Sequence, residues 1–305
     1  METVTIPAAL QRRIDELRRE RNAIILAHNY QRPDVQDIAD IVGDSLELSR
    51  AAAATDAAVI VFCGVHFMAE TAALLCPDKT VLLPHMEAGC PMADMATAEG
   101  VRAWREKNPG GVVVTYINSS AAVKAESDVC CTSANATDIV RRINPAAKIL
   151  FTPDRNLGAF VSCRLNRPME CWNGYCPTHQ RLLPEMVASA RAEHPGAVVI
   201  VHPESRPAVV LEADEALGTA GMLRFCANAP QREFIIGTET GMLHRLAKEN
   251  PEKRFYPLSP LAVCPNMKKT TLDCIIQCLE TGEGAIRVPE AYAARARMPI
   301  DRMLA

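Results

Sequence analysis

Short apolar runs, each closed by polar residues, punctuate the chain. AIILAHNY carries its polar end at His28, Asn29 and Tyr30; VVVTYINS at Tyr116 and Asn118; VVIVHPES at His202 and Glu204. Runs that are apolar throughout, without polar alternation, predict strands buried on both faces. Helical stretches follow them, among them SLELSRAAAA after Gly43 and NATDIVRRI after Ser133. Strands alternating with helices predict an α/β architecture of parallel sheets covered by helices on both sides. Ligands of such sheets bind beyond the carboxyl ends of the strands, where these polar residues stand.

The runs repeat. His28 and Tyr116 lie 88 positions apart, Tyr116 and His202 lie 86 apart. The same offsets align Val35, Val123 and Val209; Asp40, Asp128 and Asp214; and Ser45, Ser133 and Thr219. They also align the later strands VIVF (59–62), AKIL (147–150) and EFII (233–236), and TVLLP (80–84), MECW (169–172) and RFYPL (254–258). A fixed period marks one structural unit used several times. Three units are predicted, over 1–87, 88–174 and 175–262, followed by a C-terminal helical segment, 263–305.

Composition narrows the function. The chain is 49% hydrophobic and 23% charged with net charge −3, ordinary for a globular protein, and offers no basic field for nucleic acid or an anionic membrane. No apolar run approaches the roughly 20 residues of a membrane span. The N-terminal METVTIPAALQRRIDELRRERN lacks an apolar core and is expected to be no export signal but a helix, with Pro7 near its start and Leu10, Ile14 and Leu17 on one face. Twelve cysteines without any C-x-x-C pair, in a chain expected to be cytoplasmic, lean toward metal or thiol chemistry rather than disulfides.

Three of these cysteines keep the period. Cys90, Cys176 and Cys264 lie 86 and 88 positions apart, and each precedes a proline. The stretches that follow, MADMATAEGVRAW, THQRLLPEMVASARA and NMKKTTLDCIIQCL, are expected to be helical. Proline favours the first helical turn, so each cysteine is expected near an N-cap, where the helix dipole lowers a thiol's pKa. Three equivalent thiolates suit a [4Fe–4S] cluster with one open iron; three sulfurs plus a water suit zinc equally. Cys76, Cys130, Cys131, Cys274 and Cys278 have no partner under the repeat and are expected to pack or line the core. Cys63, Cys163, Cys171 and Cys226 carry no signal beyond core packing.

Histidine, tyrosine and glutamate at the strand ends are general acid–base candidates. Ser45, Ser133 and Thr219 open helical stretches, either as N-caps or as binders of anionic substrate groups. Lys268 and Lys269 are placed to assist with negative charge or to face solvent, and His179 falls near Cys176.

These residues sit in longer motifs. AHNYQRPDVQDIADIVGDSLELSR, GCPMADM, VVTYINSSAAVKAESDVCCTSANA, GYCPTH, VHPES, GTETGMLHRL and CPNMKKTTL resemble the quinolinate synthase family, from about residue 20 to about residue 285. The resemblance implies three pseudo-threefold-related α/β/α units around a central active site. It implies condensation of iminoaspartate (iminosuccinate) with dihydroxyacetone phosphate to quinolinate, phosphate and water, in de novo NAD synthesis. It implies a [4Fe–4S] cluster on Cys90, Cys176 and Cys264, with the open iron as Lewis acid. By motif position, His28, Ser45, Tyr116, Ile117, Asn118, Ser133, His202, Pro203, Glu204 and Thr219 bind substrate. Tyr30, Tyr116, His202 and Glu204 are the implied acid–base residues. The implied supplier of the imine is an aspartate-oxidising enzyme. Two rivals remain at this point: a zinc- or cluster-dependent hydro-lyase on the same cysteines, and an iron–sulfur sensor, for which no output surface is visible.

Overall fold

The computed structural model describes residues 6–305. The start of the unit expected over 1–87, and of the stretch expected to be no export signal, lies outside the described residues. Twelve short strands form three four-stranded sheets. The first contains β1 (Ala23–His28), β2 (Ile41–Gly43), β3 (Val59–Cys63) and β4 (Thr80–Leu82). The second contains β5 (Val112–Tyr116), β6 (Val129–Cys131), β7 (Ile149–Thr152) and β8 (Glu170–Cys171). The third contains β9 (Val198–Val201), β10 (Glu215–Ala216), β11 (Glu233–Gly237) and β12 (Arg254–Pro257). Their orders, β2-β1-β3-β4, β6-β5-β7-β8 and β10-β9-β11-β12, are one arrangement used three times. All strand pairs are parallel. The fold is therefore the expected α/β one, three α/β/α units.

The apolar runs follow from burial on both faces. Successive side chains of a strand point to opposite sides. In β1, Ile25 and Ala27 enter an outer core beneath the helices Ala8–Glu20 and Leu272–Thr281. Leu26 enters a central core that also holds Val114, Phe151, Ile200 and Phe234 from the other two sheets. The second and third sheets have their own outer cores, one around Val113 and Leu150, the other around Val199 and Ile235. One shared inner core and three private outer ones hold the units together. Truncating a residue such as Phe151, which is fully buried, costs about 3–5 kcal/mol.

The repeat-aligned residues outside the polar strand ends are explained. Val35, Val123 and Val209 are all fully buried. Asp40, Asp128 and Asp214 precede the short edge strands β2, β6 and β10, and each accepts the N–H of a central strand: Ile25 at 2.8 Å, Val113 at 2.7 Å and Val199 at 2.7 Å. An arginine from a preceding helix pairs with each: Arg18 at 2.5 Å, Arg105 at 2.6 Å and Arg191 at 2.9 Å. Those arginines lie 87 and 86 positions apart, one residue off the first offset, a correspondence the sequence reading missed.

The helix Ala8–Glu20 follows Pro7 and buries Ile14 and Leu17, as its pattern requires. Helix Ser45–Ala54 covers SLELSRAAAA. Residues 263–305 contain two helices, Leu272–Thr281 and Glu290–Leu304. The second packs on β6 and the helices His66–Leu75 and Ala121–Lys124, bridging the first two units. Among the described residues no helix is long and apolar enough to cross a membrane.

Candidate active site

The carboxyl ends of β1, β5 and β9 converge on a cavity of about 300 Å³. His28 ends β1, Tyr116 ends β5, and His202 follows β9. These three line it together with Tyr30, Asn118, Glu204, Ser45, Ser133, Thr219, Cys90, Cys176 and Cys264. Ile117 and Pro203 do not line the cavity. Ile117 is buried with its N–H on the Cys131 carbonyl, and Pro203 lies in the turn closed by Ser205 N–H on the His202 carbonyl.

The cysteine segments depart from expectation. Cys90 is an N-cap, but of a helix of only four residues, Pro91–Asp94. Cys176 and Cys264 open turns, and the helices start later. Thr97 and Thr271 cap their own helices through the Gly100 and Cys274 N–H groups, while Pro184 takes the first helical position of another. The Cys-Pro step still turns N–H groups toward each sulfur: Met92 and Ala93 at Cys90, His179 at Cys176, Asn266 and Met267 at Cys264.

The thiols are not acidified, against the expectation from helix dipoles. They lie deep in the protein with part of their surface on the cavity. Burial pushes Cys90 up to about 12 and raises Cys176 and Cys264 as well. Desolvation outweighs the N–H groups, so three thiolates here require a cation between them. Among the described residues, the one trio of acidic, histidine or cysteine donors that closes to within 4.8 Å is Cys176, His179 and Glu204. The three cysteine sulfurs stand wider. A single tetrahedral zinc, with Zn–S of about 2.3 Å, would bring them to about 3.8 Å from one another. The wider triad, on one cavity and from three units, fits a metal cluster.

Glu204 is the centre of the polar wall. Tyr116 donates its hydroxyl to Oε1 at 2.5 Å, and His179 Nδ1 stands 2.8 Å from Oε2. His179 Nε2 is 2.8 Å from Thr238 Oγ1, which lies 2.6 Å from the Tyr30 hydroxyl. Hydrogen bonds thus join Tyr30, Thr238 and His179 on one side and Glu204 and Tyr116 on the other, with His179 Nδ1 close to Glu204 Oε2 but outside hydrogen-bond geometry. His28 Nδ1 accepts the Tyr30 N–H at 3.1 Å, and His202 Nδ1 accepts the Glu204 N–H at 3.2 Å. Burial lowers both histidines to about 3, so both are neutral, with the proton on Nε2. Burial raises both tyrosines, and the charge of Glu204 adds to this. Burial pushes Glu204 up too, but His202, His179 and the Tyr116 hydroxyl outweigh it and keep it ionised.

Ser45, Ser133 and Thr219 are not N-caps. Asp44 caps helix Ser45–Ala54, accepting from Leu46 and Glu47. Asn135 precedes helix Ala136–Arg142, and Gly218 precedes helix Thr219–Asn228. Thr219 Oγ1 instead accepts from Asn29 Nδ2 at 2.9 Å. A Cβ on Gly218 would lie 2.7 Å from Ser133 Oγ, so glycine lets the second and third units meet here. Asn118 Oδ1 is buried without a protein partner on the cavity wall. Lys268 and Lys269 are not on a helix: Lys268 pairs with Glu239, and Lys269 with Glu87.

Sequence reasoning missed Thr238, and gave His179 no more than a position. Thr238 was findable, since the 86-residue offset aligns it with Thr152 at the end of β7. Of the other cysteines, Cys63, Cys76, Cys130, Cys131, Cys226 and Cys278 are buried. Cys163 is exposed, contrary to the core-packing expectation.

Residues 12–305 match the family described as quinolinate synthetase A protein. A quinolinate synthase of Geobacter metallireducens is 54% identical over 296 residues, 97% of either chain. One of Methanoregula boonei is 55% identical over 298 residues, 98% of either chain. One of Methanosarcina barkeri is 53% identical over 298 residues, again 98% of either chain.

Proposed function

The chain belongs to the quinolinate synthetase A family, and we propose that it condenses iminoaspartate with dihydroxyacetone phosphate to quinolinate, phosphate and water, supplying de novo NAD synthesis. The observation that carries the reading is one cavity lined by three repeat-related thiols together with histidine, tyrosine and glutamate side chains. Cys90, Cys176 and Cys264 would hold a [4Fe–4S] cluster. When bound, its open iron supplies Lewis acidity toward a substrate oxygen or nitrogen.

The chain's own groups do the rest. Ser45, Ser133 and Thr219, one per unit at or near helix starts, offer hydroxyls and free N–H groups to the substrate carboxylates and phosphate. The unpartnered Asn118 amide and the Nε2–H of neutral His28 add hydrogen bonds. Fixing two substrates this way offsets the entropy of joining them. Glu204, ionised, accepts the proton removed when the triose enolises. Tyr116, hydrogen-bonded to it, and neutral His202 return protons as water leaves. Tyr30, protonated and tied to Thr238, acts as a second proton donor from the far end of the polar wall. The imine is expected from an aspartate-oxidising enzyme, and the site of action is the cytoplasm.

Anaerobic purification with iron and sulfide analysis, followed by a quinolinate assay on the same sample, tests the proposal. Four irons and four sulfides per chain with quinolinate formed are expected. Zinc in place of iron, or a loaded cluster without quinolinate, overturns it.

A further inference from the structure

Two buried carboxyl groups outside the acid–base wall, both pushed up by burial, Asp154 to about 8, occupy parallel positions in the second and third units. Asp154 follows β7, and Glu239 follows β11. Asp154 Oδ1 accepts from Asn156 at 2.7 Å and Leu157 at 2.8 Å, opening helix Arg155–Leu165. Its Oδ2 is buried without a hydrogen-bond partner, and the Cys176 N–H faces the carboxyl. The segment before Cys176 is clamped alongside: Gly174 bonds to Pro153 and Arg155 in both directions. A Cβ on Gly174 would come within 2.5 Å of the Pro153 carbonyl.

Glu239 repeats this. Its Oε1 accepts the Cys264 N–H at 3.1 Å, and its Oε2 accepts the Gly241 N–H at 2.7 Å. A Cβ on Gly241 would fall 2.8 Å from Glu239 Oε2, Lys268 Nζ and the Gln31 carbonyl, so only glycine lets these groups converge.

Each carboxylate also reaches, through one neighbour, into the next unit. Asn156 Nδ2 donates to the Glu204 carbonyl at 2.9 Å. Lys268, paired with Glu239, donates to the Tyr30 carbonyl at 2.5 Å. The first unit has no counterpart. Asp154 and Glu239 stand two residues past β7 and β11, and the residue two past β3 is Val65, which carries no carboxyl.

We propose that Asp154 and Glu239 are positioning residues, each holding a cluster cysteine by its backbone N–H and tying that cysteine to the backbone of an acid–base residue in the next unit. Cys176 is thereby registered to Glu204 and Cys264 to Tyr30, while Cys90 is left to its short helix. This rests on the function proposed above.

Asp154→Asn and Glu239→Gln holoenzymes, prepared anaerobically, test it. Each amide sets an N–H₂ against a backbone N–H or the Lys268 ammonium while keeping the volume. Expected are altered g-values of the reduced cluster, iron loss to a chelator at least tenfold faster, and a lower kcat with KM unchanged. Asp214→Asn, on the outer edge of the third unit, lowers thermal stability but leaves the spectrum and iron loss as in the unsubstituted enzyme. Unchanged spectra and iron loss in both amide variants overturn the proposal. So does failure of either to fold, which would make the carboxylate a folding determinant. Unsubstituted protein without iron and sulfide would instead overturn the function on which the inference rests.

Discussion

On the outer edges, Arg18, Arg105 and Arg191 hold Asp40, Asp128 and Asp214, and each aspartate takes a central-strand N–H. At the inner ends of the same central strands stand His28, Tyr116 and His202, with different companions: Tyr30, Asn118 and Glu204. The outer task is identical in each unit, since every short edge strand needs an anchor. Under the proposed function the inner task is not, because an acid, a base and a hydrogen-bond donor would have to face different atoms of an unsymmetrical substrate. Threefold repetition thus survives where residues stabilise and lapses where they act. The cysteines are the exception that fits the proposal: a cluster with three equivalent corners would ask the same thing of each unit.

The largest effect expected is at the cysteines, an inner position identical in all three units. Serine at Cys90, Cys176 or Cys264 should reduce bound iron to background and quinolinate formation by more than about 10³-fold, the scale of losing a metal Lewis acid. Equal loss at all three sharpens the comparison; a dispensable cysteine breaks it. Next, Glu204→Gln should lower kcat by about 10²–10⁴-fold with iron and sulfide content unchanged, as for loss of a general base. Tyr30→Phe should cost less, yet measurably; unchanged turnover with an intact cluster would remove Tyr30 from the scheme.

The outer clasps should behave alike. Asparagine at Asp40, Asp128 or Asp214 should destabilise by about 1 kcal/mol each in denaturant titrations, since these pairs are partly exposed. The kcat should not move. A clasp variant that lowers kcat would show that the outer edges feel the chemistry. The smallest effect is a pH dependence. Burial pushes the Asp214 carboxyl up, but Arg191 and the Val199 N–H outweigh it and hold it below its ordinary value. A lowered carboxyl adds stability above its unfolded pKa and loses it as pH falls through the folded one. The thermal midpoints of the parent protein and Asp214→Asn should therefore differ near neutrality and converge below about pH 3.9.

Much of this was legible in the chain. Apolar runs marked β1, β3, β4 and their repeats, because strands buried on both faces must be apolar throughout. The two- and three-residue edge strands β2, β6 and β10 were not delimited, since so short a run has no period to read. AKIL was placed two residues early relative to β7, whose start, Ile149, is set by pairing with Val112. The helices after the cysteines were placed too early, because Cys-Pro signals a start and the threonine caps downstream signal a better one. Ser45 looked like a cap until Asp44, one residue earlier, proved to hold both N–H groups.

The sequence by itself determined the three units, their strand ends and the three in-phase cysteines, because a repeat copies local pattern and local pattern decides local structure. Only the tertiary structure decided which groups meet. Thr238 between Tyr30 and His179 joins segments 208 and 59 residues away in the chain, a meeting no local pattern specifies. It also decided charge: helix-start position favours a thiolate, but the depth of the cavity holds the thiols protonated and the histidines neutral. Desolvation depends on everything packed around a group, and no stretch of sequence carries that.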